Sequence, residues 1–254
     1  MWDNPHQLNV VALLIAAAAL ALLGYAATLW AVNQPLFALR EVVIRGPLAR
    51  ANPAHIEAVV REELKGTFFT LRLAQARDSL VKVPWVRAVA LRRAWPGTLE
   101  IIVTEHEPLA RWNEGALVNV QGETFAADFD GDLPQFAGPD GSAGDVAKRY
   151  REFGQALQPT GLSLAEVRLS ERAAWEIKTA GAAALTLELG RVEPGARLAR
   201  FVAYYPGTVA KLQHAGTRVE QVDLRYRNGF AARLPAFREA PAKKTSPDQH
   251  PGKH

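Results

Sequence analysis

Side chains with reactive potential are few in this sequence, and their spacing is poor for catalysis. Glu105, His106 and Glu107 stand side by side, Ser142 lies within Gly141-Ser142-Ala143-Gly144, and Asp128-Phe129-Asp130-Gly131-Asp132 spaces three carboxylates. A histidine between two carboxylates could move protons, but successive strand residues face opposite sides, so the triplet does not converge on one atom. It reads as solvated residues at a domain junction. Ser142 misses the G-x-S-x-G spacing of a nucleophile elbow. A calcium loop needs Gly at its sixth place and Glu at its twelfth; counted from Asp128, Leu133 and Pro139 stand there, which predicts a polar turn. Neither a phosphate-binding Gly-rich loop nor H-E-x-x-H is present. The chain has no cysteine, which removes disulfides, thiolate nucleophiles and Cys-based zinc sites together. His250 and His254 are four apart, yet Pro251 and Gly252 between them disfavour a helix that would align them. The expectation is a protein without catalytic residues, cofactor or metal.

What remains is the chemistry of the backbone. Val219 to Tyr226 alternates, with Val222, Leu224 and Tyr226 on one side and Gln221, Asp223 and Arg225 on the other. Asn228-Gly229 is a strong two-residue hairpin signal, and Phe230 to Leu234 reads as the returning strand. Beyond it lies a tail, 237–254, that contains Pro, Lys, Ser and Asp and is predicted to be disordered. A last strand with nothing ordered after it would present unpaired N–H and C=O groups to a partner strand.

The elements that would position this edge begin with a membrane anchor. Val10 to Val32 carries no charge and, as a helix rising about 1.5 Å per residue, is roughly 34 Å long, enough to cross a hydrocarbon core of about 30 Å. A cleaved signal peptide would have a basic start and a shorter apolar stretch, whereas Met1 to Gln7 contains no Lys or Arg and the run continues past Ala19-Leu20-Ala21 to Trp30. The flanking Lys and Arg residues, Arg40, Arg45 and Arg50 on the far side and none before the run, would by themselves place the large part in the cytoplasm. Net charge is only +4, from 30 basic and 26 acidic residues in 254, which argues against a nucleic-acid partner.

After the anchor, Leu39 to Arg45 reads as a strand closed by Gly46-Pro47. Asn52 and Pro53 start a helix carrying Ile56, Val59, Val60 and Leu64. Leu73, Ala76, Leu80 and Val83 form a second helical face, stopped by Pro84. Two strands follow, Trp85 to Arg93 and Leu99 to Val103, joined by Trp95-Pro96-Gly97 with Pro96 and Gly97 at the centre of a type II turn. Further on come short strands at Arg111-Trp112, Ala116 to Asn119 and Gln121 to Phe125, and a helix with Val146, Tyr150, Phe153 and Leu157 on one face. Strands near Leu164 to Leu169, Trp175 to Thr179 and Ala184 to Leu189 precede a helix with Leu198, Phe201, Val202 and Tyr205 on one side.

The β-α-α-β-β order directly after a span resembles a POTRA (polypeptide-transport-associated) domain. Val83-Pro84-Trp85-Val86, Leu91 to Leu99, Glu105 to Trp112, Leu198 to Phe201 and Val222 to Ala231 resemble the FtsQ/DivIB family of bacterial division proteins. The expected fold is α+β: an N-terminal transmembrane helix, a POTRA domain, then a mixed, mostly antiparallel β domain with flanking helices. The expected organisation is a cytoplasmic stub at 1–9, a span at 10–32, the POTRA domain at 37–106, the β domain at 107–236 and the tail. The resemblance implies a non-enzymatic, single-pass, type II inner-membrane component of the divisome, with its C-terminal part in the periplasm at the septum. It implies FtsB and FtsL as partners, with Arg225, Tyr226, Asn228, Gly229, Phe230 and Ala231 on the matching partner-binding segment, and room for other division proteins on the POTRA domain and the span. Gly229 would let a partner backbone approach and Tyr226 would supply an apolar anchor. Two other classes remain open: a membrane-tethered periplasmic hydrolase with a dispersed site, and a POTRA-containing transport component, against which stands the lack of a long series of barrel strands.

Overall fold

The computed structural model describes residues 5–181, 184–226 and 229–234. The apolar run forms α1, Pro5–Val32, within which Asn9–Val32 has the length and hydropathy of a membrane span and buries nothing against the rest of the chain. The chain divides into two compact units, Met1–Glu107 and Pro108–His254.

In the first unit β1 (Glu41–Arg45), α2 (Pro53–Glu63), α3 (Leu73–Leu80), β2 (Val86–Ala94) and β3 (Thr98–Glu105) follow in the predicted order. Pro53 opens α2, and the Asn52 side chain accepts a hydrogen bond from the Ala54 N–H at 3.0 Å, as an N-cap should. Among the described residues the strands form a three-stranded sheet ordered β1-β3-β2, with β1 parallel and β2 antiparallel to β3. Parallel pairing of β1 with β3 requires a crossover, and α2 and α3 supply it. Alternation along β3 buries Leu99, Ile101 and Val103, the helices bury Ile56, Val60, Ala76 and Leu80, and Ile102 faces outward. The β2–β3 turn differs from the type II expectation. The Gly97 N–H donates to Ala94 O at 3.3 Å across a cis Trp95–Pro96 peptide, so Trp95 and Pro96, not Pro96 and Gly97, are its central residues.

The second unit contains β4 (Pro108–Trp112), β5 (Ala116–Asn119), β6 (Thr124–Phe125), β7 (Gln135–Ala137), α4 (Ala143–Leu157), β8 (Leu164–Leu169), β9 (Trp175–Thr179), β10 (Thr186–Gly190), α5 (Pro194–Tyr204), α6 (Val209–His214), β11 (Gln221–Asp223) and β12 (Ala231–Arg233). Among the described residues they build one nine-stranded sheet ordered β12-β11-β10-β9-β8-β7-β4-β5-β6. The β10–β11, β7–β8 and β4–β7 pairs are parallel and the others antiparallel, the mixed sheet expected. Helices α4 and α5 pack side by side on it. Phe136, Phe153 and Phe201 are fully buried in one core with Val146, Leu157, Leu187, Leu198 and Val222. Strand β7 and helix α6 carry too few residues to show a period. They exist because their neighbours complete their pairing and burial.

Truncating a core ring removes its transfer energy and leaves a cavity, so Phe201→Ala is expected to destabilise the second unit by about 3–5 kcal/mol. Ile102→Ser, on an outward-facing position of the first unit, is expected to stay within about 0.5 kcal/mol. Urea unfolding of the full chain in detergent, followed by near-UV circular dichroism, checks both.

Candidate functional site

Two of the side chains that could have carried catalysis, Glu105 and Ser142, have structural partners, and the Asp128–Asp132 loop is tied through its backbone. The Glu105 carboxylate accepts from three consecutive backbone N–H groups, Ala49 (3.2 Å), Arg50 (3.1 Å) and Ala51 (2.7 Å), and so ties the loop before α2 to the end of β3. This corrects the reading of Glu105 as merely solvated: a carboxylate facing three donors is an anchor. Ser142, just before α4, donates its hydroxyl to Pro139 O at 2.6 Å. In the Asp128–Asp132 turn, the Arg111 guanidinium donates to Phe129 O (2.6 Å) and Gly131 O (3.2 Å), so a fixed cation side chain holds the carbonyls of that loop.

The C-terminal segment is organised by β10. Strand β11 pairs parallel to it through Thr186↔Gln221, Leu187↔Val222 and Glu188↔Asp223, and the Leu224 N–H extends the ladder to Glu188 O at 2.9 Å. Strand β12 then pairs antiparallel to β11, Gln221↔Arg233, Val222↔Ala232 and Asp223↔Ala231, and ends the sheet. Among the described residues no strand lies on the other side of β12, whose Ala231, Ala232 and Arg233 are all exposed.

The six predicted partner-binding residues have unlike surroundings. Arg225 donates from Nε and Nη2 to the two carboxylate oxygens of Asp223 (2.9 and 2.7 Å) and reaches Glu188 at 3.0 Å. Gln221 also hydrogen-bonds Glu188, so the outer strands carry a polar cluster on one face. Tyr226 is 58 % exposed, its carbonyl accepting from Arg200 at 3.2 Å. Phe230 turns inward, edge-on to Phe201 with ring centroids 6.2 Å apart. Ala231 opens β12. Asn228 lies outside the described residues.

The hairpin itself departs from expectation. A two-residue Asn228-Gly229 turn would pair Arg227 with Phe230, but the observed register leaves Leu224 to Phe230 as the connection. The cause is packing: Leu224, 3 % exposed, and Phe230 both turn into the core, while Arg225 binds Asp223 and Arg200 donates to the Tyr226 carbonyl. Of Val219–Tyr226, Gln221–Asp223 forms the strand, with Glu220 and Leu224 adding ladder bonds at its ends.

Comparison with known proteins bears on both units. Residues 37–106 match the family model "POTRA domain, FtsQ-type", and residues 110–225 match "Cell division protein FtsQ/DivIB, C-terminal". The chain is 40% identical over 245 residues to the cell division protein FtsQ of Burkholderia pseudomallei strain K96243, covering 94% of this chain and 96% of that protein. It is 40% identical over 238 residues to that of Nitrosospira multiformis, covering 92% and 99% respectively. Against that of Escherichia coli K12 it is 36% identical over 171 residues, covering 65% and 61%.

The chain belongs to the FtsQ/DivIB family. The FtsQ-type POTRA match coincides with the first β-α-α-β-β unit, and the single N-terminal apolar helix fits a single-pass membrane protein. The C-terminal family model stops at Arg225, so β12 and the loop before it lie past its end. Sequence reading gave Asp223 only as an outward-facing strand position and passed over Glu188 and Arg197, which complete the polar cluster. Glu188 and Asp223 come together only through the parallel β10–β11 register, and Arg197 donates from α5 to Leu189 O at 2.6 Å.

The hydrogen bonds from Arg225 hold the Asp223 carboxyl below its usual range. Because the folded-state value is the lower one, the stabilisation is fully present above the ordinary aspartate value of about 3.9 and is lost as pH falls through the depressed one. Asp223→Asn is therefore expected to destabilise the second unit at neutral pH, with the gap to the parent closing in acid. Urea midpoints measured from neutral to acidic pH check this; a gap independent of pH would refute it.

Proposed function

We propose that the chain is a non-enzymatic, bitopic scaffold of the divisome. Helix α1 holds it in the inner membrane with the large part in the periplasm, at the division septum. The POTRA unit, with the span, helps place it among early and late division proteins. The outer edge of β12 receives a strand from FtsB of the FtsB–FtsL pair, through which septal peptidoglycan synthesis is controlled. The observation that carries this reading is the position of β12 at the end of the sheet with exposed Ala231, Ala232 and Arg233. Small side chains let a second backbone approach to ladder distance, and main-chain hydrogen bonds then supply affinity while neighbouring side chains set specificity. Arg225 and Tyr226 lie in the connection that leads into β12; the exposed Tyr226 ring would meet the partner by apolar contact, while Arg225, bound to Asp223 and Glu188, would hold that connection in place. Phe230 supports the edge from behind through Phe201.

Consecutive strand residues send their N–H groups to opposite sides, so a proline at Ala231 and one at Ala232 act differently. One removes a bond to β11, and the other removes only the outward donor. The variant that keeps the parental unfolding midpoint is expected to lose about tenfold or more in capture of co-expressed FtsB–FtsL by the full chain in detergent, as expected for one lost bond plus a steric block. Parental capture by that stable variant would exclude the edge as the binding site. Depletion in cells is expected to give filaments, and normal septation would count against a divisome role for this chain.

A further inference from the structure

The end of the first unit nearest α1 carries an exposed aromatic patch. Because β1 and β3 are parallel they start at the same end of the sheet, and β2, antiparallel to β3, finishes there. The chain arrives at that end from α1 through a short 3-10 turn, Pro35–Phe37. The loop between α2 and α3 closes over it: Phe68 N–H donates to Phe37 O at 2.7 Å, and Ala38 bridges Thr67. Thr67 Oγ1 in turn donates to the carbonyl of Val32, the last residue of α1, at 2.8 Å.

Three segments distant in sequence thus bring their rings together. Phe69 stands edge-on to Phe37 and to Phe68, with centroids 5.2 and 5.3 Å apart, and Phe68 stands edge-on to Trp95 at 6.1 Å. Phe68 is buried and acts as the hub, while Leu36, Phe69 and Trp95 around it are 69 %, 48 % and 70 % exposed. Trp30, in the last turn of α1, is 70 % exposed as well. Arg40 lies against the Trp95–Gly97 turn, and Arg93, also exposed, donates to Leu71 O beside Phe68.

We propose that this patch sits in the headgroup layer of the bilayer that α1 crosses. Trp95, Phe69 and Leu36 are its interfacial anchors, and Arg40 and Arg93 face the lipid phosphates. The inference rests on the reading of α1 as a membrane span. The Thr67–Val32 bond keeps the patch at the end of that span, where the apolar helix must meet water. Amphipathic rings favour that depth, and a cationic rim suits anionic lipid. A soluble surface has little reason to keep a tryptophan and two further large apolar side chains exposed together, whereas the interface rewards it. Seated this way, the first unit has a fixed tilt on the membrane, which limits the faces it leaves open to other proteins.

The chain has no cysteine, so single-cysteine variants of the full chain report without background. Trp95→Cys and Phe69→Cys each keep the other ring. Leu23→Cys marks the middle of α1, and Thr104→Cys, about 20 Å along β3 from the Trp95 turn at about 3.3 Å per residue, marks the exposed far end. Each is spin-labelled and placed in nanodiscs of phosphatidylethanolamine and phosphatidylglycerol containing no other protein. Collision with dissolved oxygen and with a water-soluble nickel chelate is then read by EPR power saturation. The expected result is a lipid signature at Leu23, a water signature at Thr104, and nickel accessibility at Trp95 and Phe69 several-fold below that at Thr104. Labels at both patch positions as wet as Thr104, with Leu23 in lipid, would overturn this inference alone and assign the patch to a protein partner. A wet label at Leu23 would overturn the membrane-span reading and this inference with it.

Discussion

The parallel pairing of β11 with β10 is the constraint on which the distal half of the second unit depends. A parallel neighbour cannot be reached by a tight turn, so the chain must leave β10, cross the sheet through α5 and α6, and return. That crossover puts Phe201 over the sheet, and Phe201 is what Phe230 packs against. The same register sets Asp223 beside Glu188, where one guanidinium, Arg225, serves both carboxylates. The edge offered by β12 is therefore held by a buried ring on one side and an ion cluster on the other. An edge strand of three exposed residues, two of them alanine, would otherwise have little to hold it.

An analogous economy governs the first unit. Pairing β1 with β3 places the chain's entry, the β2–β3 turn and the α2–α3 loop at one end of a small sheet. At the other end the Glu105 carboxylate gathers three N–H donors and fixes the loop leading into α2. Trp85, just before β2, adopts a left-handed backbone, φ 71°, yet its ring is buried and stacked under the Arg50 guanidinium at 5.3 Å. Conformations that cost energy locally are tolerated where burial and cation–π contact over-determine them. One end of the unit thus holds itself rigidly by polar contacts, and the other exposes rings.

Much of this was legible in the residues. An uncharged run of bilayer length, an Asn-Pro helix start, the alternation of β3 and the helical faces of α4 and α5 each state their own structure, because the period of burial differs between helix and strand. The family motifs were legible because each is contiguous along the chain, whether it falls on a strand, as Leu91 to Arg93 does, or on a turn, as Val83 to Trp85 and Trp95 to Gly97 do. The candidate edge was readable only as a last strand before a polar tail. Its true register was not, because Asn228-Gly229 signals a tight turn on local grounds while Leu224 and Phe230 are drawn inward by a core assembled from distant segments.

The sequence by itself determined the long N-terminal apolar helix, the order of the longer helices and strands, the mixed α+β class and the family. These follow from local periodicity, from length against bilayer thickness, and from motifs contiguous along the chain. Only tertiary structure decided that β7 and α6 exist, that Glu105 is an anchor, that Arg225 bridges Asp223 and Glu188, and that three aromatic segments meet beside the end of α1. Each of these depends on groups far apart in sequence whose contact energy exists only once the sheets have closed their registers.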